Sequence, residues 1–80
     1  MPTVLRIGSN RFYFYSHEPN EPPHVHIDKG SASAKFWLSP PSVARNLGFS
    51  AKELSDLLHL VRDNRALLLE AWNGFFRPGR

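Results

Sequence analysis

The chain has 80 residues, no cysteine, and ten Lys and Arg against seven Asp and Glu, for a formal charge of +3. That length holds one small domain with a single core, and the missing cysteines exclude disulfide staples, thiolate nucleophiles and cysteine-based zinc sites. No apolar run approaches the ~20 residues of a membrane helix and no signal-peptide pattern follows Met1, so a soluble cytoplasmic protein is expected.

Thr3 to Ile7 is β-prone, Gly8-Ser9-Asn10 carries turn chemistry, and Arg11 to Ser16 is an aromatic-rich strand, which predicts a hairpin with a three-residue loop. Pro19 to Pro23 cannot donate a regular ladder and marks a crossing to a third strand, His24 to Lys29. Within it, Pro22-Pro23 sets the entry angle of that strand, with pre-orientation of His24 for a ligand as the functional alternative. Gly30-Ser31 then turns the chain into a fourth strand, Ala32 to Leu38, ended by Pro40-Pro41. Ser42 to Leu47 reads as a short edge strand, with a single helical turn as the alternative.

From Ser50 the pattern changes. Ser50-Ala51-Lys52-Glu53 is a capping box, Phe49 supplies the hydrophobic staple, and Leu54, Leu57, Leu58, Val61, Leu68, Trp72 and Phe75 recur at helical spacing. Asn64-Arg65 interrupts that stripe and is expected to bend or divide the helix, and Gly74 and Pro78 end it. Strands followed by a helix predict an α+β domain, an antiparallel sheet of four to five strands with a long C-terminal helix packed on one face.

Alternation assigns Leu5, Ile7, Phe12, Phe14, Val25, Ile27, Ala34, Phe36 and Leu38 to the helix-covered face. The opposite, open face then carries Arg6, Tyr13, Tyr15, His24, His26, Asp28, Lys35 and Trp37. Residues two apart on a strand share a face, so His24, His26 and Asp28 project together. His24 and His26 are the natural candidates for acid–base work near neutral pH, with Lys35 and Arg6 offsetting charge on a phosphorane as RNA is cut by its own 2′-hydroxyl. Tyr13, Tyr15 and Trp37 are placed to stack on unpaired bases, with Asp28 beside them as a further binding residue.

Two alternatives stand beside this metal-independent chemistry. His24 and His26 with His17 or Asp28 make a weak first-row metal pattern, though no metal or other cofactor is expected. Alternatively these side chains only solvate the free face of a sheet as cross-strand pairs. Open aromatic surface also predicts a partner protein or a homo-oligomer rather than a lone monomer.

Five segments together resemble a small prokaryotic family, the domain of unknown function 4160. They are Met-Pro-Thr-Val-Leu-Arg-Ile at the start, Arg11 to Ser16, the block Asn20-Glu21-Pro22-Pro23-His24-Val25-His26, Ala34 to Leu38, and Leu68 to Trp72. The resemblance implies a gene pair of the toxin–antitoxin kind with this member as the toxin, and it brings no established catalytic residues. The expected function is therefore a toxin-like component of a type II module, bound by a small cognate antitoxin and acting on RNA. The alternative is a non-catalytic interaction or regulatory module.

Overall fold

The computed structural model describes residues 3–15 and 20–76. Five strands precede two helices: β1 (Thr3–Ile7), β2 (Asn10–Tyr13), β3 (His24–Lys29), β4 (Ala32–Leu38), β5 (Pro41–Leu47), α1 (Ala51–Asp63) and α2 (Arg65–Phe75). The strands form one antiparallel meander in the order β1-β2-β3-β4-β5, so sequence neighbours are always spatial neighbours. The α+β expectation stands at this level, and Ser42 to Leu47 is indeed strand, lengthened by Pro41 to an edge of seven residues.

The first hairpin is tighter than the expected three-residue loop. Ile7 pairs with Asn10, leaving Gly8-Ser9 as a two-residue turn with Gly8 at φ 59°. Lys29 pairs with Ala32 around Gly30-Ser31 in the same way, again with φ 59° at the glycine. A left-handed residue confined to the first central position is the glycine-first turn whose twist suits a two-residue hairpin. β2 ends at Tyr13 rather than running to Ser16, which lies outside the described residues.

Pro23 illustrates how proline enters a ladder, since it uses only its carbonyl and accepts from the Leu38 amide at 3.0 Å. The core lies between the sheet and the helices. It is built from Phe12, Phe14, Val25, Ile27, Ala34, Phe36 and Leu38 on the strands, with Leu57, Val61, Leu68 and Trp72 opposite them. Leu5 and Ile7 pack against its margin, so every residue assigned to the helix-covered face is there.

The long C-terminal helix is two helices, divided at the Asn64-Arg65 interruption of the stripe. Asn64, at φ −107° and ψ 14°, is both the end of α1 and the start of α2, and its side-chain amide donates back to the Leu60 carbonyl at 2.9 Å. An Asn side chain that bonds the preceding turn competes with helix continuation, which is why the break falls there. Arg65 then ties α2 to the β4–β5 turn through Nε to the Leu38 carbonyl (2.9 Å) and Nη2 to the Ser39 hydroxyl (3.2 Å). That turn contains a cis Ser39–Pro40 bond. α1 packs on β4 and β5, and α2 on β4.

The junction between sheet and helix is heavily specified. Asn46 grips Phe49 at both backbone groups, 2.9 and 3.0 Å, and Gly48 sits at φ 101° where a Cβ would meet Ala32 at 3.4 Å. The capping box is complete: the Glu53 amide donates to Ser50 Oγ at 3.1 Å and the Ser50 amide donates to Glu53 Oε1 at 2.9 Å. The Ser50 amide also holds the Glu53 carboxyl below its ordinary 4.5, so its contribution is present above pH 4.5 and is lost as pH falls through the lowered value. Ser50→Ala is expected to cost about 1 kcal/mol in denaturant unfolding. Glu53→Gln should flatten the acid limb of the stability curve, and an unchanged limb would assign acid sensitivity to other groups.

Candidate functional site

The face opposite the helices is organised in registered rows. One runs Tyr13–His26–Lys35–Arg45 across β2 to β5, and the next runs Arg6–Arg11–Asp28–Ser33–Leu47 across all five strands. His24, Trp37 and Ser42 form a third, shorter row. A bulge at Ala44, where the β4–β5 register shifts between Lys35 and Phe36, returns Arg45 to this face beside Lys35.

This face is not the open surface that alternation alone predicts. His24 is 0% exposed, Tyr13 3% and His26 9%, while Tyr15 and Trp37 are half-buried. The covering side chains come from beyond the strands: Tyr15 folds back edge-on to His26 at 4.4 Å between ring centroids, and Trp72 of α2 reaches His24 at 4.8 Å. Alternation along strands cannot report side chains arriving from a loop and from a distant helix.

His24 is the hub of the buried part. Its Nδ1 lies 2.9 Å from the Pro22 carbonyl, and because a carbonyl can only accept, Nδ1 carries the proton. Its ring sits 5.2 Å from His26 and 5.7 Å from Trp37, both edge-on. Pro22-Pro23 thus places the acceptor that orients this imidazole. The Glu21 carboxylate lies 3.8 Å from the same nitrogen and pairs with Lys35, whose ammonium also stands 4.7 Å over the Trp37 ring.

Tyr13 is stacked on His26 at 5.4 Å, covered by the Arg11 guanidinium at 4.6 Å, and donates its hydroxyl proton to Asp28 at 2.9 Å. Burial, with Tyr15 and Asp28 alongside, pushes the Tyr13 phenol well above its ordinary 10.0. The folded state therefore holds this proton more tightly, so the stability tied to it is intact below pH 10.0 and is lost as pH rises past that value. Spectroscopic titration should show one of the two tyrosines ionising late, and Tyr13→Phe should remove that late phase at a cost of about 1 kcal/mol. No late phase, or one that survives Tyr13→Phe, would contradict the burial.

Where these rows meet β5 the surface opens into a basin of about 330 Å³, lined by Tyr15, His26, Ser33, Ala34, Lys35, Trp37, Ala44, Arg45 and Leu47. Of the residues singled out in the sequence, His26, Lys35, Tyr15 and Trp37 converge here. His24 and Tyr13 support the basin from behind, and Asp28 is engaged by Tyr13. Arg6 does not join them, because β1 and β4 are three strand spacings apart, roughly 14 Å. Arg45 takes the place beside Lys35 that Arg6 was expected to fill. The alternation of β5 concealed it, since the bulge shifts which residues share a face and nothing in the sequence marked that bulge.

Among the described residues no group of three His, Cys, Asp or Glu side chains is placed to hold a metal ion, and His17 lies outside them. Chemically, the basin offers one imidazole, two cations registered side by side and two aromatic walls. That set fits an anion carrying a planar group better than a cation. Among the described residues no helix is long and apolar enough to cross a membrane.

No curated protein and no solved structure matches the chain. The model of the family described as Domain of unknown function (DUF4160) matches residues 10–73, which takes in β2 to β5, α1 and most of α2, and with them every residue lining the basin. The chain belongs to the DUF4160 family.

Proposed function

We propose that this protein is the toxin-like component of a two-protein module of the type II toxin–antitoxin kind, held by a small cognate antitoxin and acting on single-stranded RNA in the basin. The observation that supports the reading best is the convergence of His26, the Lys35–Arg45 pair, Trp37 and Tyr15 around one opening. Lys35 and Arg45 take the phosphate, with Lys35 exchanging Glu21 for it, and a base stacks against Trp37 or Tyr15.

In this reading neutral His26 takes the proton of the ribose 2′-hydroxyl as that oxygen attacks the adjacent phosphorus. The bond from phosphorus to the 5′-oxygen breaks, water protonates the leaving oxygen, and a 2′,3′-cyclic phosphate remains. Lys35 and Arg45 offset the charge that develops on the phosphorane. His24, buried and fixed by Pro22, is a positioning residue that holds His26 and Trp37 edge-on.

Titrating the protein with a fluorescently labelled mixed-sequence RNA dodecamer tests the binding half. Saturable binding that Trp37→Leu weakens supports the reading, and binding that is absent or indifferent to Trp37→Leu contradicts it. The full burial of His24 favours a second reading, a non-catalytic interaction module in which the imidazoles are structural.

A further inference from the structure

The registered row Tyr13–His26–Lys35–Arg45 stops at β5 because β5 is the last strand of the sheet. An edge strand presents backbone donors and acceptors in a row, and proteins usually blunt such an edge with charge, proline or a bulge. β5 has a proline at its first position, a bulge and one charge, yet it carries Val43 at 41% exposure and Leu47 at 55%. Among the described residues these are two of three exposed large apolar side chains, and the third, Leu67, is on α2. Exposed apolar area is thus concentrated on the strand that borders the basin.

The two faces of β5 differ. Val43 pairs with Phe36 and so lies on the helix side of the sheet, whereas Arg45 lies on the basin side next to Lys35. Leu47 pairs with Ser33 and lines the basin as well, so a strand added at this edge would set one face against Arg45 and Leu47 and the other against Val43. A segment that alternates acidic and apolar residues meets Arg45 with its acidic face and Val43 with its apolar one, and the chain's positive charge favours the same partner.

We propose that the outer edge of β5 is a docking edge for an extended, alternating acidic and apolar segment of a second protein, which adds a sixth strand beside Arg45. This rests on the reading of the chain as half of a two-protein module. The consequence for that reading is steric, since a sixth strand with carboxylates opposite Arg45 would cover the basin mouth and compete with phosphate for the same cations.

The test uses the peptide Val-Glu-Val-Glu-Val-Glu-Val and its lysine twin, Val-Lys-Val-Lys-Val-Lys-Val, titrated into isotope-labelled protein with amide shifts as the readout. The expected result is shifts centred on β5 with the acidic peptide bound about fivefold more tightly, a preference reversed by Arg45→Glu. Shifts centred elsewhere, equal binding of both peptides, or no binding overturn the proposal. So does concentration-dependent β5 shifting without peptide, which would make a second copy of the chain the occupant. The labelled RNA dodecamer is titrated into the same samples. A chain that takes the acidic peptide on β5 but ignores RNA keeps the docking edge and overturns the RNA reading, and the reverse outcome does the opposite.

Discussion

Trp72→Ala is expected to leave the chain unfolded at 37 °C. Trp72 is 6% exposed and stands where α2 meets the sheet, 5.3 Å from Phe14, 4.8 Å from His24 and 4.2 Å from Phe76. Removing a buried indole costs about 3–5 kcal/mol in lost contact and residual cavity. A domain of this size has a total stability of only about 5 kcal/mol, so that loss consumes most or all of it. Circular dichroism melting checks this, and a midpoint within a few degrees of wild type would show that the helix-to-sheet contact at His24 contributes little. Trp72→Phe keeps much of the volume and should restore a folded chain with a lowered midpoint.

Replacing Lys35 and Arg45 together by Met should leave folding intact while sharply weakening RNA binding. Arg45 is exposed and the Lys35 partner Glu21 is half-exposed, so neither removal strands a buried charge. Two charge-assisted phosphate contacts near a surface amount to about 2 kcal/mol together, or roughly thirtyfold in affinity at low salt. Losing two phosphate contacts should also flatten the dependence of log affinity on log salt by about 1.4 for a single strand. An unchanged slope would place the phosphates elsewhere, with the row Arg6–Arg11 as the next basic surface on the same face. Arg6→Met serves as the comparison and should leave both affinity and slope nearly unchanged.

Much of the architecture was readable from local chemistry. Gly30-Ser31 fixed one hairpin, the Ser50–Glu53 capping box fixed the start of α1 to the residue, and period-two alternation sorted Phe12, Val25, Ile27 and Phe36 into the core. In each case the deciding interaction lies within a few residues or on one strand. The misreadings share the opposite property. His24 and Tyr13 looked exposed because the groups that bury them, Trp72 and the returning Tyr15, are distant in sequence or lie beyond the end of β2. Arg6 and Lys35 share a face but not a place, which only strand order reveals. Arg45 was visible as a basic residue, and the bulge at Ala44 that aims it at the basin was not.

These differences reshape the candidate chemistry. A pair of exposed histidines dividing acid and base roles gives way to one histidine at the basin floor, held by a second that is buried and proton-fixed at Nδ1. Lys35 keeps its expected place, Arg45 replaces Arg6, and Tyr13 and Asp28 become a buried hydrogen-bonded support. The two-residue step from His24 to His26 matters because alternate residues of one strand keep both imidazoles on the same side, one fully buried and one at the basin floor.

The most direct test of the account is inducible expression in a bacterial host of wild type and His26→Gln, reading growth together with total RNA integrity, after melting curves show that both chains fold. Wild-type expression is predicted to arrest growth with loss of RNA, while His26→Gln leaves growth and RNA intact. Arrest by both proteins, or intact RNA and normal growth with both, would contradict a His26-dependent action on RNA.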